Sequence, residues 1–403
     1  MSAEAGHLAL DRISRRYGEV SALHEVSVQI AAGEFVTLLG PSGSGKTTTL
    51  KIIAGFSAPD SGRVLLDGRD LTAVPPHRRD IGMVFQNYAL FPHMSVAENI
   101  AFPLEMRRTR RAEIRRKVAE ALSVVRMRGF EARRPRELSG GQQQRIALAR
   151  ALVFHPRLLL MDEPLGALDR KLREEMQTEI VRISRDVGIT VVYVTHDQEE
   201  ALAMSNRIAV YHAGRIEQVG TPEEIYERPA SLFVADFIGE STRLRGKLGE
   251  LDGRDYLLCD AFRVPVDRAQ CLRAGLARGA EAVLIVRPEM MRIAPPRADA
   301  TDAGDRAGVA GRLQSQAYLG TVRKYVVDLP GGVTALARTP LDAGRAIAAE
   351  NGDAVMVSWP VAAGIVLPPT GTVAPPASAP VPVDAGLGRP LPAKLHQPKL
   401  SSV

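Results

Sequence analysis

Through about residue 235, short uninterrupted apolar runs alternate with longer stretches in which apolar residues recur every three or four positions. Runs that are apolar throughout suit strands buried on both faces of a parallel sheet, and helical spacing between them suits crossover connections. Glu34-Phe-Val-Thr-Leu-Leu39 predicts such a strand, followed by a Gly-rich turn and a helix over Lys46–Ala54 that stops at Gly55. Arg157-Leu-Leu-Leu-Met161 and Ile189-Thr-Val-Val-Tyr-Val194 predict two more buried strands, each after a long helical pattern. This alternation predicts an α/β fold with a parallel sheet.

Beyond Gly239 the pattern changes to short segments such as Tyr256-Leu-Leu, Ala282-Val-Leu-Ile-Val286 and Lys324-Tyr-Val-Val-Asp-Leu329, separated by Gly, Pro and Asp. They predict a smaller β-rich domain over residues 240–367, after a first domain over residues 1–239. From Pro368 to Val403, nine of 36 residues are Pro, mixed with Ala, Ser and Val, a composition that builds no core and predicts a disordered tail. Within the first domain, residues 87–155 are expected to form a helical subdomain. Leu104, Ile114, Val118, Leu122 and Val125 recur there at helical spacing, which predicts one amphipathic helical insertion.

Charge sharpens that picture. The 403 residues carry a net charge of +6, yet twelve Lys/Arg against three Glu put +9 on residues 107–136 alone. The positive charge therefore belongs to the helical insertion of an otherwise slightly acidic chain. The arginines have no interleaved aromatic residue before Phe130, so platforms for base stacking are absent and a solvated basic face is expected. No apolar stretch reaches the 18 residues of a membrane span, and the N-terminus lacks the basic flank and apolar run of a secretory signal. Cys259 and Cys271 make neither a metal pattern nor a disulfide framework, which fits a reducing cytoplasm.

Three motifs carry the chemistry. Gly40-Pro41-Ser42-Gly43-Ser44-Gly45-Lys46-Thr47 fits the phosphate-loop pattern between a predicted strand and a predicted helix. Its glycines let backbone N–H groups curl around phosphate oxygens, and the helix N-terminus adds partial positive charge. Lys46 is expected to reach the β- and γ-phosphates, and the Thr47 hydroxyl to ligate Mg²⁺. Asp162 and Glu163 end the Leu158-Leu-Leu-Met run, at the C-terminal strand edge where open α/β sheets bind ligands. There Asp162 suits Mg²⁺ coordination and Glu163 suits general-base activation of water. Finally, Leu138-Ser139-Gly140-Gly141-Gln142 places two adjacent glycines at a helix start, a second cluster of backbone donors for an anion.

Together these strings resemble the ATP-binding cassette of ABC transporters, a P-loop NTPase fold, over the first 235 residues. The phosphate loop, Gly40 to Thr48, the signature Leu138–Gln142 and the acidic strand Leu158–Glu163 carry the likeness. The resemblance implies Gln86, in Val84-Phe-Gln-Asn-Tyr88, as a Mg²⁺ and water contact and His196, in Val194-Thr-His-Asp197, as the γ-phosphate contact. It implies Tyr17, in Arg16-Tyr-Gly18, as the adenine-stacking ring and Asp169, in Gly166-Ala-Leu-Asp169, as the D-loop aspartate. The family more often has Ser where Gly166 stands, a departure that bears on the contact across the dimer. In the family the signature of one subunit completes the ATP site of another, so one set of motifs per chain implies a dimer, a homodimer in the simplest case, closed by ATP.

The C-terminal half implies the branch. Gln218-Val-Gly-Thr-Pro-Glu-Glu-Ile-Tyr-Glu-Arg-Pro229, Phe233-Val-Ala-Asp-Phe-Ile-Gly239 and Val286-Arg-Pro-Glu289 resemble importer ATPases that end in a small OB-like, TOBE-type β-barrel. The expected partners are transmembrane permease subunits and a periplasmic or extracellular solute-binding protein, with no nucleic acid, at the cytoplasmic face of the inner membrane. Gln86 to Ser95, with Tyr88, Phe91 and His93, reads either as the surface that touches a permease or as the insertion's own core. Ile53-Ala-Gly-Phe56, Phe91-Pro-His-Met94 and Glu98-Asn-Ile-Ala-Phe-Pro-Leu104 most resemble polyamine importers, ahead of importers of sugar, ferric iron or sulfate. A soluble ABC-type ATPase acting on DNA or ribosomes is the alternative of a different class. It usually carries a long coiled-coil insertion or two cassettes per chain. A module that binds without hydrolysing is disfavoured by the presence of Lys46, Glu163 and His196.

Overall fold

The computed structural model describes residues 5–296, 305–341 and 349–371. The expected tail from Pro368 onward therefore lies almost wholly outside the described residues. The chain opens with β1 (Leu8–Tyr17) and β2 (Val20–Ile30), then β3 (Phe35–Leu39), a loop, and α1 (Lys46–Ala54). All five residues of β3 are buried, as a strand covered on both faces requires. Gly55 ends α1 in the left-handed conformation, φ +85°, its N–H returning to the carbonyls of Ile52 and Lys51. Arg79, 4% exposed, donates to the carbonyls of Ile52 and Ile53, so the last turn of α1 is satisfied by a guanidinium.

The chain continues through β4 (Ser61–Leu66), β5 (Arg69–Asp70) and β6 (Ile81–Val84), then α2 (Val96–Met106), α3 (Arg111–Val124) and α4 (Gly140–Leu152). It returns with β7 (Leu158–Asp162), α5 (Arg170–Val187), β8 (Thr190–Thr195), α6 (Gln198–Met204), β9 (Arg207–His212) and β10 (Arg215–Gly220). The main sheet has the order β10-β9-β3-β8-β7-β6. Its pairs are parallel except β9–β10, and Leu39 lies opposite Thr195 while Asp162 lies opposite Val194. That register brings the ends of β3, β7 and β8 side by side, so Gly40, Glu163 and His196 leave the sheet at one edge.

The expected single amphipathic helix is two. α2 ends at Met106 and α3 starts at Arg111, with Arg108 at φ +57° between them, so Leu104 belongs to a different helix from Ile114, Val118 and Leu122. The apolar spacing survives because both helices bury those residues in one core with α4 and α5. The basic residues are partly paired: Arg107 with Asp80, Arg116 with Glu120, Lys117 with Glu113 and Arg126 with Glu179. Among the described residues no helix is long and apolar enough to cross a membrane.

Short helices α7 (Pro222–Glu227) and α8 (Leu232–Phe237) lead to strands that include β11 (Thr242–Leu251), β12 (Arg254–Leu258), β13 (Arg263–Pro265) and β14 (Glu281–Val286). These four and Ile365–Leu367 form one five-stranded sheet. Arg292–Ala294, Arg306–Tyr318, Val322–Leu329, Val333–Pro340 and Ala354–Pro360 form a second. Both sheets turn apolar residues, among them Leu244, Leu284, Tyr325 and the fully buried Trp359, into one core. Arg287 joins this unit to the first: its guanidinium lies over the Tyr226 ring and donates to the carbonyls of Tyr226, Ala235 and Gly239. Tyr226 in turn donates to Glu289 Oε1 at 2.5 Å. The Val286–Glu289 string, buried at Arg287 and exposed at Glu289, thus links the two units.

Candidate nucleotide site

The loop from Gly40 to Gly45 is shaped by close approach and by a positive φ. A Cβ on Gly40 would stand 2.4 Å from the Tyr211 carbonyl oxygen, and Gly45 caps α1 at φ +108°. Lys46, 4% exposed, folds its ammonium back onto the loop, donating to the Gly40 carbonyl at 2.7 Å and the Pro41 carbonyl at 2.9 Å. Burial lowers its pKa, and the carboxylates of Glu163 and Asp162 oppose that shift. Ser44 is buried with it, whereas Ser42 and Gly43 are exposed at the rim and Thr47 and Thr48 are half-buried.

Thr47 donates to Asp162 Oδ1 at 3.4 Å, which ties the phosphate loop to the end of β7. Burial, followed by the neighbouring Glu163 charge, raises the Asp162 pKa. Glu163 sits at φ +44°, a strained position for a side-chain-bearing residue, fixed by its N–H to the Val194 carbonyl and by the Gly166 N–H to its own carbonyl. Its Oε1 lies 3.3 Å from His196 Nδ1, and the His196 side chain is 58% exposed. A cation, a hydroxyl, two carboxylates and an imidazole therefore converge where three strands end. The oxygen donors of Thr47 and Asp162 suit a hard divalent cation that completes its shell with phosphate oxygens and water. Among the described residues no group of three or more His, Cys, Asp and Glu gathers as an all-protein metal cage.

Gln86 is exposed just after β6, and its amide borders the Glu163–Gly166 turn. The loop that follows is pinned from below by two polar side chains that the sequence reading missed. Asn99, fully buried on α2, accepts from the Phe91 N–H and donates to the carbonyls of Phe91, Met94 and Ser95. Arg150 on α4 donates to the carbonyls of Tyr88 and Ala89, which both have positive φ. Of the two readings of this loop, the core reading holds for two of its residues. Tyr88 is core and Phe91 packs on Phe102, while Gln86, Asn87, Pro92 and His93 face outward.

Ser139 caps α4. Its hydroxyl accepts from the Gln142 N–H while the Gln142 side chain accepts from the Ser139 N–H. Gly140 and Gly141 follow, close to Leu168 and Leu172: a Cβ on Gly141 would come within 2.8 Å of Leu172. Asp169 caps α5 by accepting from the Leu172 N–H at 3.0 Å. The signature thus packs on the turn that carries Asp169, and among the described residues no hydrogen bond joins its donors to Lys46. Tyr17 closes β1, 48% exposed, with its hydroxyl on Ser57 and the Arg15 guanidinium over its ring. Its hydroxyl thus ties the end of β1 to Ser57, three residues past the end of α1.

A Cβ at Gly166 would meet only ordinary contacts, 3.6 Å to the Glu163 oxygen and 3.9 Å to the Gln86 amide, and its φ is not positive. Gly166→Ser is accordingly expected to leave ATP turnover within about twofold and thermal stability within ~0.5 kcal/mol. An ATPase assay with a thermal melt checks this, and a tenfold loss would mean that the turn depends on Gly there.

A family model described as ABC transporter matches residues 23–166, and a TOBE domain model matches residues 284–367. The spermidine/putrescine import ATP-binding protein PotA of Acidothermus cellulolyticus is 54% identical over 330 residues, covering 80% of this chain and 84% of that protein. PotA 2 of Pseudomonas aeruginosa, with the same descriptive name, is 49% identical over 364 residues, covering 89% of this chain and 97% of its own. A solved dimeric ATP-binding cassette, MJ0796 in a post-hydrolysis state with ADP and Pi, aligns at 34% identity with a TM-score of 0.47, over 53% of this chain and 98% of its own.

Proposed function

The chain belongs to the ATP-binding subunits of ABC importers, and on that premise we propose that it drives uptake of a polyamine such as spermidine or putrescine. It is an ATPase, a nucleotide-using enzyme. In the proposed cycle, backbone N–H groups of Gly40 to Thr48 and the Lys46 ammonium hold the phosphates, with the Tyr17 ring on adenine. Thr47, Asp162 and Gln86 would hold Mg²⁺, which when bound offsets charge on the β- and γ-phosphates. Glu163 takes the proton of a water whose oxygen attacks the γ-phosphorus, the bond to the β-phosphate oxygen breaks, and ADP and phosphate are left. His196 steadies the γ-phosphate. Ser139, Gly140, Gly141 and Gln142 of a second copy add donors in a closed site, where preorganised dipoles weigh most because water is excluded. Asp169 borders that dimer contact.

What supports the catalytic part is the meeting of Thr47 with Asp162 and of Glu163 with His196 at neighbouring strand ends. What supports the substrate is identity of about half the positions to relatives named for polyamine import, across both units of the chain. The subunit would work peripherally at the cytoplasmic face of the inner membrane, joined to permease subunits that face a periplasmic or extracellular solute-binding protein. Vesicles holding the chain with its permeases and binding protein are expected to raise ATP hydrolysis several-fold with spermidine or putrescine. Stimulation by a sugar, ferric ion or sulfate in place of a polyamine would overturn the substrate assignment.

A further inference from the structure

We propose that Arg173 is a positioning residue for ATP hydrolysis: its guanidinium clamps the turn that carries His196 to the turn that carries Asp169, with buried Glu200 as the counter-charge. The inference rests on the reading of Glu163 and His196 as the hydrolytic pair. Arg173 lies in the first turn of α5. Its Nη1 donates to Asp197 Oδ2 at 3.4 Å and its Nη2 to the Leu168 carbonyl at 3.1 Å. One planar fork therefore spans the residue after His196 and the residue before Asp169.

Glu200 anchors the other side. It is 3% exposed, and its Oε2 accepts from the Tyr193 hydroxyl at 2.7 Å and the Thr195 hydroxyl at 2.8 Å. Thr195 Oγ1 also accepts from the Asp197 N–H at 3.0 Å, and Asp197 Oδ1 accepts from the N–H groups of Glu199 and Glu200 at the start of α6. Glu200 Oε1 faces Arg173 Nε at 3.9 Å, and that Nε is buried without a hydrogen bond. Both donors on Oε2 need an acceptor, which suits a carboxylate whose remaining oxygen looks at the cation. His196 is more than half exposed, so packing does not hold its ring. Thr195 and Asp197, on its two sides, are the residues tied down, one by Glu200 and the other by Arg173.

The clamp also touches the opposite end of the chemistry. Leu168 and Leu172, on the same turn as Arg173, are the residues against Gly140 and Gly141. In the proposed dimer that signature serves the second copy's nucleotide while His196 serves its own. A guanidinium between them fixes the spacing of the two half-sites carried by one subunit, and small misplacements of reacting groups carry large rate penalties.

Steady-state kinetics and thermal melts on the full chain test this. Arg173→Met is expected to lower kcat tenfold or more with KM for MgATP within threefold, and to lower Tm by stranding the Glu200 charge. The Arg173→Met/Glu200→Gln double variant removes that charge and is expected to regain Tm while kcat stays at least tenfold down. Arg173→Lys keeps the charge without the two-armed fork and is expected to behave like the double variant. Recovery of kcat together with Tm in the double variant would make the role merely structural and overturn the clamp. A raised KM with unchanged kcat would overturn it as well. Glu163→Gln run alongside separates the two readings. If that variant is inactive while Arg173→Met is fully active, only the clamp fails; if it turns over normally, the hydrolytic pair itself is misassigned.

Discussion

Replacing Glu163 with glutamine is expected to cut steady-state ATP turnover by about a hundredfold or more while MgATP affinity stays within about threefold. The substitution keeps the volume and the strained backbone, because the Glu163 N–H to Val194 and the Gly166 N–H to the Glu163 carbonyl do not involve the side chain. It removes the ability to take a proton from water, together with one negative charge beside Asp162, Lys46 and His196. A hundredfold loss corresponds to about 2.7 kcal/mol of transition-state stabilisation, within the range of one positioned base. The proposed phosphate cradle, Gly40 to Thr47, lies at a different strand end, so binding is expected to be spared. With hydrolysis blocked and binding intact, the ATP-closed dimer is expected to accumulate. Gel filtration of the variant with MgATP then shows a species of twice the monomer mass that ADP does not produce. Turnover at the wild-type rate would remove Glu163 from the base role. Loss of affinity equal to the loss of turnover would place it in binding instead.

The part of this site legible in the sequence is the part carried by backbone rules. Gly45 at positive φ, the uninterrupted apolar run of β3 and the Gly55 stop fix a strand–loop–helix unit from local chemistry alone, and the structure reproduces the helix at Lys46–Ala54. The parallel strands at 158–162 and 190–195 were legible for the same reason, since a run buried on both faces has no alternating signature to confuse. In the smaller unit, Tyr256-Leu-Leu, Ala282–Val286 and Lys324–Leu329 all fall in strands. The break at 107–110 was not legible, because two helices sharing one core preserve apolar spacing across the turn between them. Asn99, Arg150, Arg173 and Glu200 escaped for another reason. A polar residue in a helical pattern reads as a solvated face, and only tertiary structure shows that Asn99 is fully buried beneath a loop or that Glu200 meets Tyr193. Their partners are mostly backbone carbonyls and hydroxyls, which leave no mark in residue type.

Lys46→Ala is expected to weaken MgATP binding by about two orders of magnitude, with turnover lost in proportion. Two charge-assisted hydrogen bonds to phosphate oxygens at about 1.5–3 kcal/mol each exceed the ~2.7 kcal/mol that a hundredfold loss requires. Part of that gain is offset, because the ammonium must first leave the carbonyls of Gly40 and Pro41 that hold it at 2.7 and 2.9 Å. Those same bonds preorganise it: the charge waits within the loop, and binding exchanges carbonyl oxygens for phosphate oxygens without ordering a free side chain. Alanine removes the charge, and it also leaves Lys51 as the one remaining cation that opposes the rise of the Asp162 pKa beside Glu163. The Asp162 pKa, already raised by burial and by Glu163, should therefore rise further in the variant, which weakens the oxygen set that would hold Mg²⁺. Equilibrium titration with a fluorescent ATP analogue, with and without Mg²⁺, measures both effects. The variant is expected to lose most of its affinity and part of its Mg²⁺ dependence together. Unchanged affinity would show that the loop's N–H groups suffice for the phosphates, and an unchanged Mg²⁺ dependence would show that Asp162 does not depend on Lys46.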